Sequence, residues 1–142
     1  NSIGTGTLYT KGAKVGDAAQ FTSYAEVDYR FGKFNVDLGY RFVDGLYADY
    51  SITDSQFTEQ NNAGALKLPS YGLLDLGVTY QIGQGLSFRT NINNLLDTEY
   101  IAESNSNIHA TSGSTTWNGV DVNNSVWFGF GTTWNASLKY RF

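Results

Sequence analysis

The chain has 142 residues and a net charge of −4, with no cysteine, one proline and many glycine, tyrosine and phenylalanine residues. Because no basic stripe accompanies the acidic balance, the sequence argues against a nucleic-acid partner. The absence of cysteine excludes disulfides and thiolate metal sites. No stretch approaches the roughly 18 apolar residues of a membrane helix, and the composition is typical of β-structure with many turns.

Five segments alternate between apolar and polar residues, as a strand with one apolar and one polar face does. In the last segment, Trp134, Leu138, Tyr140 and Phe142 share one row, and polar residues occupy the other. The sequence therefore predicts an all-β fold of antiparallel strands. The five predicted strands lie near residues 20–31, 34–43, 71–82, 86–95 and 126–142, and a weak sixth candidate lies around Thr7 to Thr10.

Two short connections keep the apolar rows on one face. The first pair of strands needs a loop with an even number of residues, which Gly32-Lys33 supplies as a type II′ turn. The second pair needs a loop with an odd number of residues, which Gly83-Gln84-Gly85 supplies. The register that follows opposes Tyr80 to Phe88 and Leu76 to Ile92.

The other two connections, residues 43–70 and 95–125, are long and polar. Short and long connections alternate strictly, as tight periplasmic turns and long extracellular loops do in bacterial outer-membrane barrels. The pattern favours an antiparallel transmembrane β-barrel in the cell outer membrane of a Gram-negative bacterium, with Phe142 on the periplasmic side. Since closure needs at least about 8 strands, the chain is expected to be the C-terminal part of a larger barrel. The first residues have neither the basic start nor the apolar run of an export signal, which is therefore expected outside this chain.

Three stretches carry a family resemblance. Residues 68–80, 86–101 and 129–142 resemble the C-terminal third of TonB-dependent outer-membrane receptors, and the general look is that of the Bacteroidetes branch. Asn-Asn-Leu-Leu-Asp-Thr-Glu-Tyr at 93–100 matches that family's N-L-F-D-x-x-Y. Leu96 replaces the usual phenylalanine, and Thr132 stands where an arginine is common, so any contact of that arginine is expected to be missing.

The resemblance implies a barrel of about 22 strands around an N-terminal plug, of which this chain supplies the last five strands. It implies TonB-energised import of a scarce ligand, such as an iron–siderophore, a corrinoid or a glycan, with no enzymatic activity and no cofactor. The implied partners are outer-membrane lipid, the upstream barrel and plug, and the TonB system through segments absent here. A surface lipoprotein is a further candidate partner. The barrel-assembly machinery would read the C-terminal strand through Trp134, Leu138, Tyr140 and Phe142.

Long loops on a rigid scaffold are where recognition is expected. Aromatic side chains there are candidates for stacking on a ligand, with packing at the rim as the alternative: Tyr47, Tyr50, Phe57, Tyr100, Trp117 and Trp127. A second set, predicted to face the lumen and the plug, mixes both signs of charge, with simple hydration as the alternative: Glu26, Asp28, Arg30, Asp37, Arg41, Asp75 and Arg89.

One lumen pair is unfavourable in the predicted register. Asp28 faces Asp37 directly, so a bridge from Arg30, Arg41 or a plug residue is expected.

Metal and catalytic sites are weakly indicated. Asp44, Asp49, Asp54 and Glu59 share one loop, but their spacing fits no calcium loop and favours a solvated loop. His109 is the only histidine, so it lacks the clustered partners of a metal site or a catalytic base. No metal site and no catalytic residue are predicted.

Two rival interpretations remain. One is another large outer-membrane barrel without a plug, such as a porin-like channel or a protein-translocation component. The other is a soluble, secreted β-sandwich binding domain, which would stay folded and monomeric without detergent.

Overall fold

The computed structural model describes residues 13–51 and 64–142. Within those ranges the structure is all-β, and no helix there is long and apolar enough to cross a membrane. The candidate strand around Thr7 to Thr10 lies outside the described residues. The described strands are β1 Phe21–Phe31, β2 Phe34–Asp44, β3 Tyr71–Gly83, β4 Leu86–Asn93, β5 Ile101–Ser104, β6 Thr116–Trp117, β7 Val120–Asp121, β8 Val126–Phe128 and β9 Thr133–Tyr140.

The chain divides into two compact units. The first, called the sheet unit below, comprises Thr22–Val43, Tyr71–Tyr100 and Gly129–Phe142. The second, called the loop unit, comprises Asn1–Phe21, Asp44–Ser70 and Ile101–Phe128, and so contains most of both long connections.

The main sheet has the strand order β1-β2-β3-β4-β9. β3 pairs antiparallel with β2 and β4, and β9 pairs antiparallel with β4. The predicted pairs are confirmed, since Leu76 opposes Ile92 and Tyr80 opposes Phe88. Alternation along each strand and the parity of each loop were therefore enough to set the β3–β4 register.

Both short turns follow the predicted chemistry. Gly32 has a φ of 55°, and Lys33 does not share this positive value, which is the sign pattern of a type II′ turn rather than type I′. Gly85 has a φ of 74°, and the β3–β4 register shifts between Gln81 and Gly83. A left-handed glycine beside a one-residue shift is the expected form of a three-residue hairpin loop.

The last predicted strand is divided, which corrects its boundaries. Only Thr133–Tyr140 pairs with β4, whereas Val126–Phe128 pairs with β5 in a separate two-stranded sheet. Between them, the Gly129 N–H donates to Tyr100 O at 2.9 Å, and the Thr132 N–H donates to Asp97 Oδ1 at 2.9 Å. These N–H groups therefore bond to the 94–100 turn region instead of to a neighbouring strand. The strand is interrupted here, although the alternation of apolar residues continues.

The loop unit has its own apolar core. Two small sheets, β5-β8 and β6-β7, lie within it, and Tyr47 forms an isolated antiparallel bridge with Lys67. Trp117 and Val126 are partly buried against this core. The core side chains are Leu46, Ala48, Leu66, Leu68, Ile101 and Val120.

Candidate functional site

One face of the main sheet, called the apolar face below, is lined by exposed apolar side chains. Trp134 is 74% exposed and Leu138 is 66% exposed, although both stand in the predicted apolar row. An apolar surface of this extent marks a place where a soluble domain would bind something. The large exposed members of the apolar face are Val27, Tyr29, Phe31, Phe34, Leu38, Tyr40, Ile82, Phe88, Trp134, Leu138 and Tyr140.

Aromatic rings form a band on this face near the two short turns. Phe31 stacks on Phe34 with ring centroids 5.4 Å apart, and Phe34 lies 4.6 Å from Tyr80. Tyr80 is in turn opposite Phe88 in the next strand. On β9, Tyr140 meets Phe142 edge to face at 5.5 Å. Tyrosine, phenylalanine and tryptophan bands of this kind are typical of sheets that meet a membrane interface.

The opposite face, called the polar face below, holds an ion pair that spans three strands. Arg89 Nη1 on β4 donates to Asp37 Oδ1 on β2 at 3.1 Å and to Thr79 Oγ1 on β3 at 2.9 Å. Gly77 of β3 lies between them, opposite Asp37, and a Cβ at this position would collide with the Asp37 carboxylate and the Arg89 guanidinium. Glycine at 77 therefore makes room for the pair.

Among the described residues, neither Arg30 nor Arg41 bridges Asp28 and Asp37; each carboxylate has a different arginine beside it. Arg30 lies beside Asp28, with Nε 3.9 Å from Oδ1. Asp37 is neutralised by Arg89 rather than by Arg41. Arg89 was missed as the bridge because it reaches Asp37 diagonally across a glycine, which simple opposition in the register does not reveal. The opposition of Asp28 to Asp37 stays a prediction.

The remaining predicted lumen residues have separate local roles. The Tyr24 hydroxyl donates to Glu26 Oε2 at 2.8 Å, and the Asn94 N–H donates to Asp75 Oδ1 at 2.9 Å. Arg41 is exposed on β2, opposite Leu73. The structure therefore places the predicted charges along the polar strand rows without joining them into one cluster.

The Asn94–Thr98 turn is the best organised polar feature of the sheet unit. Asn94 is 4% exposed, and its φ is 52°. Its amide donates to Thr98 O at 3.0 Å and to Phe130 O at 3.2 Å, while its Oδ1 accepts the Thr98 N–H at 2.8 Å. Asp97, with a φ of 51°, accepts the Thr132 N–H. Short polar residues that tolerate left-handed φ suit such a turn.

Sequence reasoning quoted this stretch as a motif but gave its residues no role. The signal was present, since Asn and Asp side chains commonly bond to backbone a few residues away. Thr132 also has a contact of its own, because its hydroxyl donates to Asn94 O at 2.7 Å. The turn is therefore joined to the segment before β9 without an arginine at 132.

Tyr100 is a packing residue in this turn region. Its ring stacks on Tyr71 at 4.2 Å and covers Gly129, where any Cβ would collide with it. Trp117, likewise, lies edge-on to Phe128 at 5.1 Å and packs on the loop-unit core. For these two predicted ligand aromatics the structure gives the packing role.

The other predicted aromatics differ in exposure. Tyr47 and Tyr50 are partly buried in the loop unit, and Phe57 lies outside the described residues. Trp127 is 60% exposed on β8, which makes it the most accessible of the candidates that the structure describes.

Amide side chains hold the loop unit together. Asn107 Oδ1 accepts the Leu66 N–H at 2.6 Å, and the Asn124 side chain bonds to both the N–H and the C=O of Ile108. His109 Nε2 lies 2.9 Å from Gly64 O. These residues, His109 among them, bridge distant parts of the loop unit.

The acidic residues of the long connection at residues 43–70 have separate partners where they are described. Asp44 pairs with Lys67 at 3.0 Å, and Asp49 Oδ1 accepts the Tyr50 N–H at 2.9 Å. Asp54 and Glu59 lie outside the described residues. In the described ranges no three His, Asp or Glu side chains are grouped to hold a metal ion.

Among the described loop-unit carboxyls, the pKa of Asp17 is raised, and the pKa values of Asp44 and Asp121 are lowered. Burial, then the charges of Glu103 and Asp49, raise the pKa of Asp17. The Ser114 hydroxyl, and then the Asn123 backbone N–H, hold the pKa of Asp121 below its ordinary value. Asp121 is a buried acceptor for Asn123, and hydrogen bonds to the ionised carboxylate favour that form.

Comparisons of the chain with protein-family models, with curated proteins and with solved structures gave no significant match.

Proposed function

We propose that the chain is the C-terminal part of an outer-membrane β-barrel, and that this barrel is a TonB-dependent receptor that imports a scarce ligand. The carrying observation is the exposed apolar face of the main sheet, with its aromatic band, opposite a polar face that contains an ion pair. A barrel strand needs this division, since one face meets lipid and the other meets the lumen.

The apolar face is too costly to leave in water. Burying one side chain the size of Leu, Val or Phe contributes about 1.5–3 kcal/mol. The row contains enough such side chains that full coverage would contribute on the order of 10 kcal/mol or more, even if each was only partly exposed. Lipid would cover the whole row at once.

Strand lengths fit this proposal. β1 and β2 have 11 residues each, and β3 has 13. A strand of 11 residues is about 36 Å long at ~3.3 Å per residue. At a tilt of about 45° it rises about 25 Å, close to the apolar band of an outer-membrane barrel.

The connections suggest the orientation. Both short turns join strands at one end of the sheet, and both long connections leave from the other end. In the proposed receptor the short turns are periplasmic and the long connections are extracellular, so the loop unit would contact the ligand. Trp127 is its most accessible predicted aromatic, and a stacking ring suits a siderophore, a corrinoid or a sugar. Capture and gated import would need no catalytic residue in this chain.

The membrane claim is tested by tryptophan quenching. The chain has three tryptophans, so replacing two of them with phenylalanine isolates the third. In bilayers with brominated acyl chains, a variant that keeps only Trp134 should be strongly quenched, because Trp134 stands on the apolar face. A matched variant that keeps only Trp127 should be quenched little.

Equal quenching of both variants would contradict the proposed placement. A chain that sediments as a folded monomer in plain buffer would favour the soluble β-sandwich instead. The receptor claim needs the larger barrel: radiolabelled ligand uptake should require TonB, whereas a porin-like channel would conduct without it.

A further inference from the structure

A basic patch with no assigned role lies on the sheet beside the two short turns. It consists of two cation pairs at two adjoining depressions, one of about 330 Å³ and one of about 420 Å³. No acidic side chain lines either depression. The cations are Arg30 and Lys33 in the first depression, and Lys139 and Arg141 in the second.

Between the cation pairs the floor is polar and uncharged. Gln81 lines both depressions, and Ser87 lines the second. Gln81 donates its N–H to Lys33 O at 2.9 Å, Gln81 opposes Ser87, and Ser87 opposes Lys139. These positions therefore form one row that runs from the β1–β2 turn across β3, β4 and β9, called the basic trough below.

The cations of the basic trough are largely uncompensated. Of the four, only Arg30 has a carboxylate within 4.0 Å in the described part of the chain, and that contact is long, at 3.9 Å to Asp28. Lys33, Lys139 and Arg141 form no such pair among the described residues. Four like charges so placed raise a positive potential that favours an anion.

The distance between the two cation pairs fits an extended polyanion. Lys33 and Lys139 are three strand spacings apart, or about 14 Å at ~4.8 Å per strand. A single phosphate cannot span this distance. In an extended peptide, residues i and i+4 point the same way and lie about 13 Å apart. The neutral floor of Gln81 and Ser87 offers donors and acceptors to the peptide backbone between them.

We propose that the basic trough binds an extended acidic peptide segment, with carboxylates about four residues apart that pair with the Arg30–Lys33 and Lys139–Arg141 ends. An anionic lipid is a poorer occupant, because the floor of the trough belongs to the polar rows of the strands, opposite the apolar face. The inference rests on the polar face alone and does not require the receptor assignment.

The test is peptide binding by fluorescence anisotropy, with the chain held in zwitterionic detergent micelles. Labelled Glu-Glu-Ser-Ser-Glu-Glu should bind, and Gln-Gln-Ser-Ser-Gln-Gln should not. Lys33→Gln and Lys139→Gln should each weaken binding about two- to fivefold, as expected for exposed ion pairs. Raising the salt from about 0.01 M to about 0.15 M should weaken binding further, because the Debye length falls.

The matched control is Arg41→Gln, which removes an exposed cation of β2 near the other end of the sheet. It should leave affinity unchanged. Equal loss for Arg41→Gln would show binding by net charge alone and would overturn the trough. Carbodiimide cross-linking followed by mass spectrometry should join the peptide to Lys33 or Lys139, and cross-links confined to other lysines would also overturn it.

Two further outcomes decide the occupant. Inorganic phosphate at equal charge concentration should displace the peptide poorly, and complete displacement would replace the peptide assignment with a simple anion site. Doping the micelles with phosphatidylglycerol should not abolish binding, and abolition would favour a lipid headgroup.

Discussion

The sheet unit and the loop unit differ in where their apolar side chains lie. In the loop unit a set of apolar side chains forms a buried core, as Leu68 at 1% exposure illustrates. In the sheet unit the apolar row points outward, with Leu138 at 66% exposure, while Asp37 and Arg89 pair on the other face. One chain thus contains a unit with a buried apolar core and a unit with an exposed apolar face.

This difference means that burial alone does not show which side chains contribute to the stability of the chain. In the loop unit, an exposed apolar residue is expected to matter little. In the sheet unit, an exposed apolar residue on the apolar face is expected to matter as soon as lipid is present. Substitutions of similar chemistry should therefore give different results in the two units.

The largest effect is expected in the loop-unit core. Leu68→Ala should lower the free energy of unfolding by about 2–5 kcal/mol, because it removes buried methyl groups and leaves a cavity. Urea denaturation monitored by tryptophan fluorescence measures this loss. Val122→Ala is the matched control, since Val122 is exposed in the same unit, and it should change stability by no more than about 0.5 kcal/mol. Equal losses would show that the loop unit lacks the described core.

A charge on the apolar face should have the next largest effect. Ala136→Arg should destabilise the chain in bilayers by about 2–4 kcal/mol, the cost of arginine on the lipid face near the membrane midplane, because Ala136 lies in the middle of β9 on the apolar face. Its neighbour Ser137 is opposite Arg89 on the polar face. Ser137→Arg should therefore cost far less. Equilibrium unfolding in lipid vesicles compares the two, and equal costs would remove the distinction between the faces.

The polar face is tested through a glycine. Gly77→Ala should cost about 1–3 kcal/mol, because the added methyl group forces apart the Asp37 and Arg89 side chains. Gly83→Ala, in the same strand, meets no atom within 4 Å and should be close to neutral. Thermal unfolding of the two variants measures the difference. A neutral Gly77→Ala would mean that the ion pair does not lie over residue 77.

The sequence predicted the sheet better than it predicted the loops, and the reason is physical. Alternation with a period of two is a local property, so strands β1 to β4 and the turns at Gly32 and Gly85 could be recognised from neighbouring residues. Register followed because a slip of one residue would turn a row to the wrong face.

Long-range contacts account for what was missed. The apolar row runs through residues 129–132 without interruption, yet hydrogen bonds from Asn94 and Asp97 end the strand pairing there. The Asp37–Arg89 pair depends on a glycine between two strands. The loop-unit core has no periodic pattern, because its members come from short segments far apart in the chain. No local reading of the sequence would have assembled them.

The smallest predicted effect concerns pH and again separates carboxyls by their surroundings. Asp121 accepts stabilising hydrogen bonds, so its pKa is lowered from 3.8 in the folded chain. Its contribution to stability should be fully present at a pH above its pKa in the unfolded chain. It should be lost as the pH falls through its lower pKa in the folded chain. Asp121→Asn should therefore flatten the loss of stability below about pH 4.

Asp17 should behave in the opposite sense. Its pKa is raised from 3.8 by burial and by the charges of Glu103 and Asp49, so its ionised form is disfavoured in the folded chain. The resulting penalty should be present above the raised folded pKa and should disappear as the pH falls below the unfolded value. Asp17→Asn should thus stabilise the chain at neutral pH but not at low pH, whereas Asp121→Asn should destabilise it at neutral pH. Denaturant unfolding across this pH window measures both slopes. The same sign for both variants would mean that the hydrogen bonds to Asp121 do not outweigh its burial.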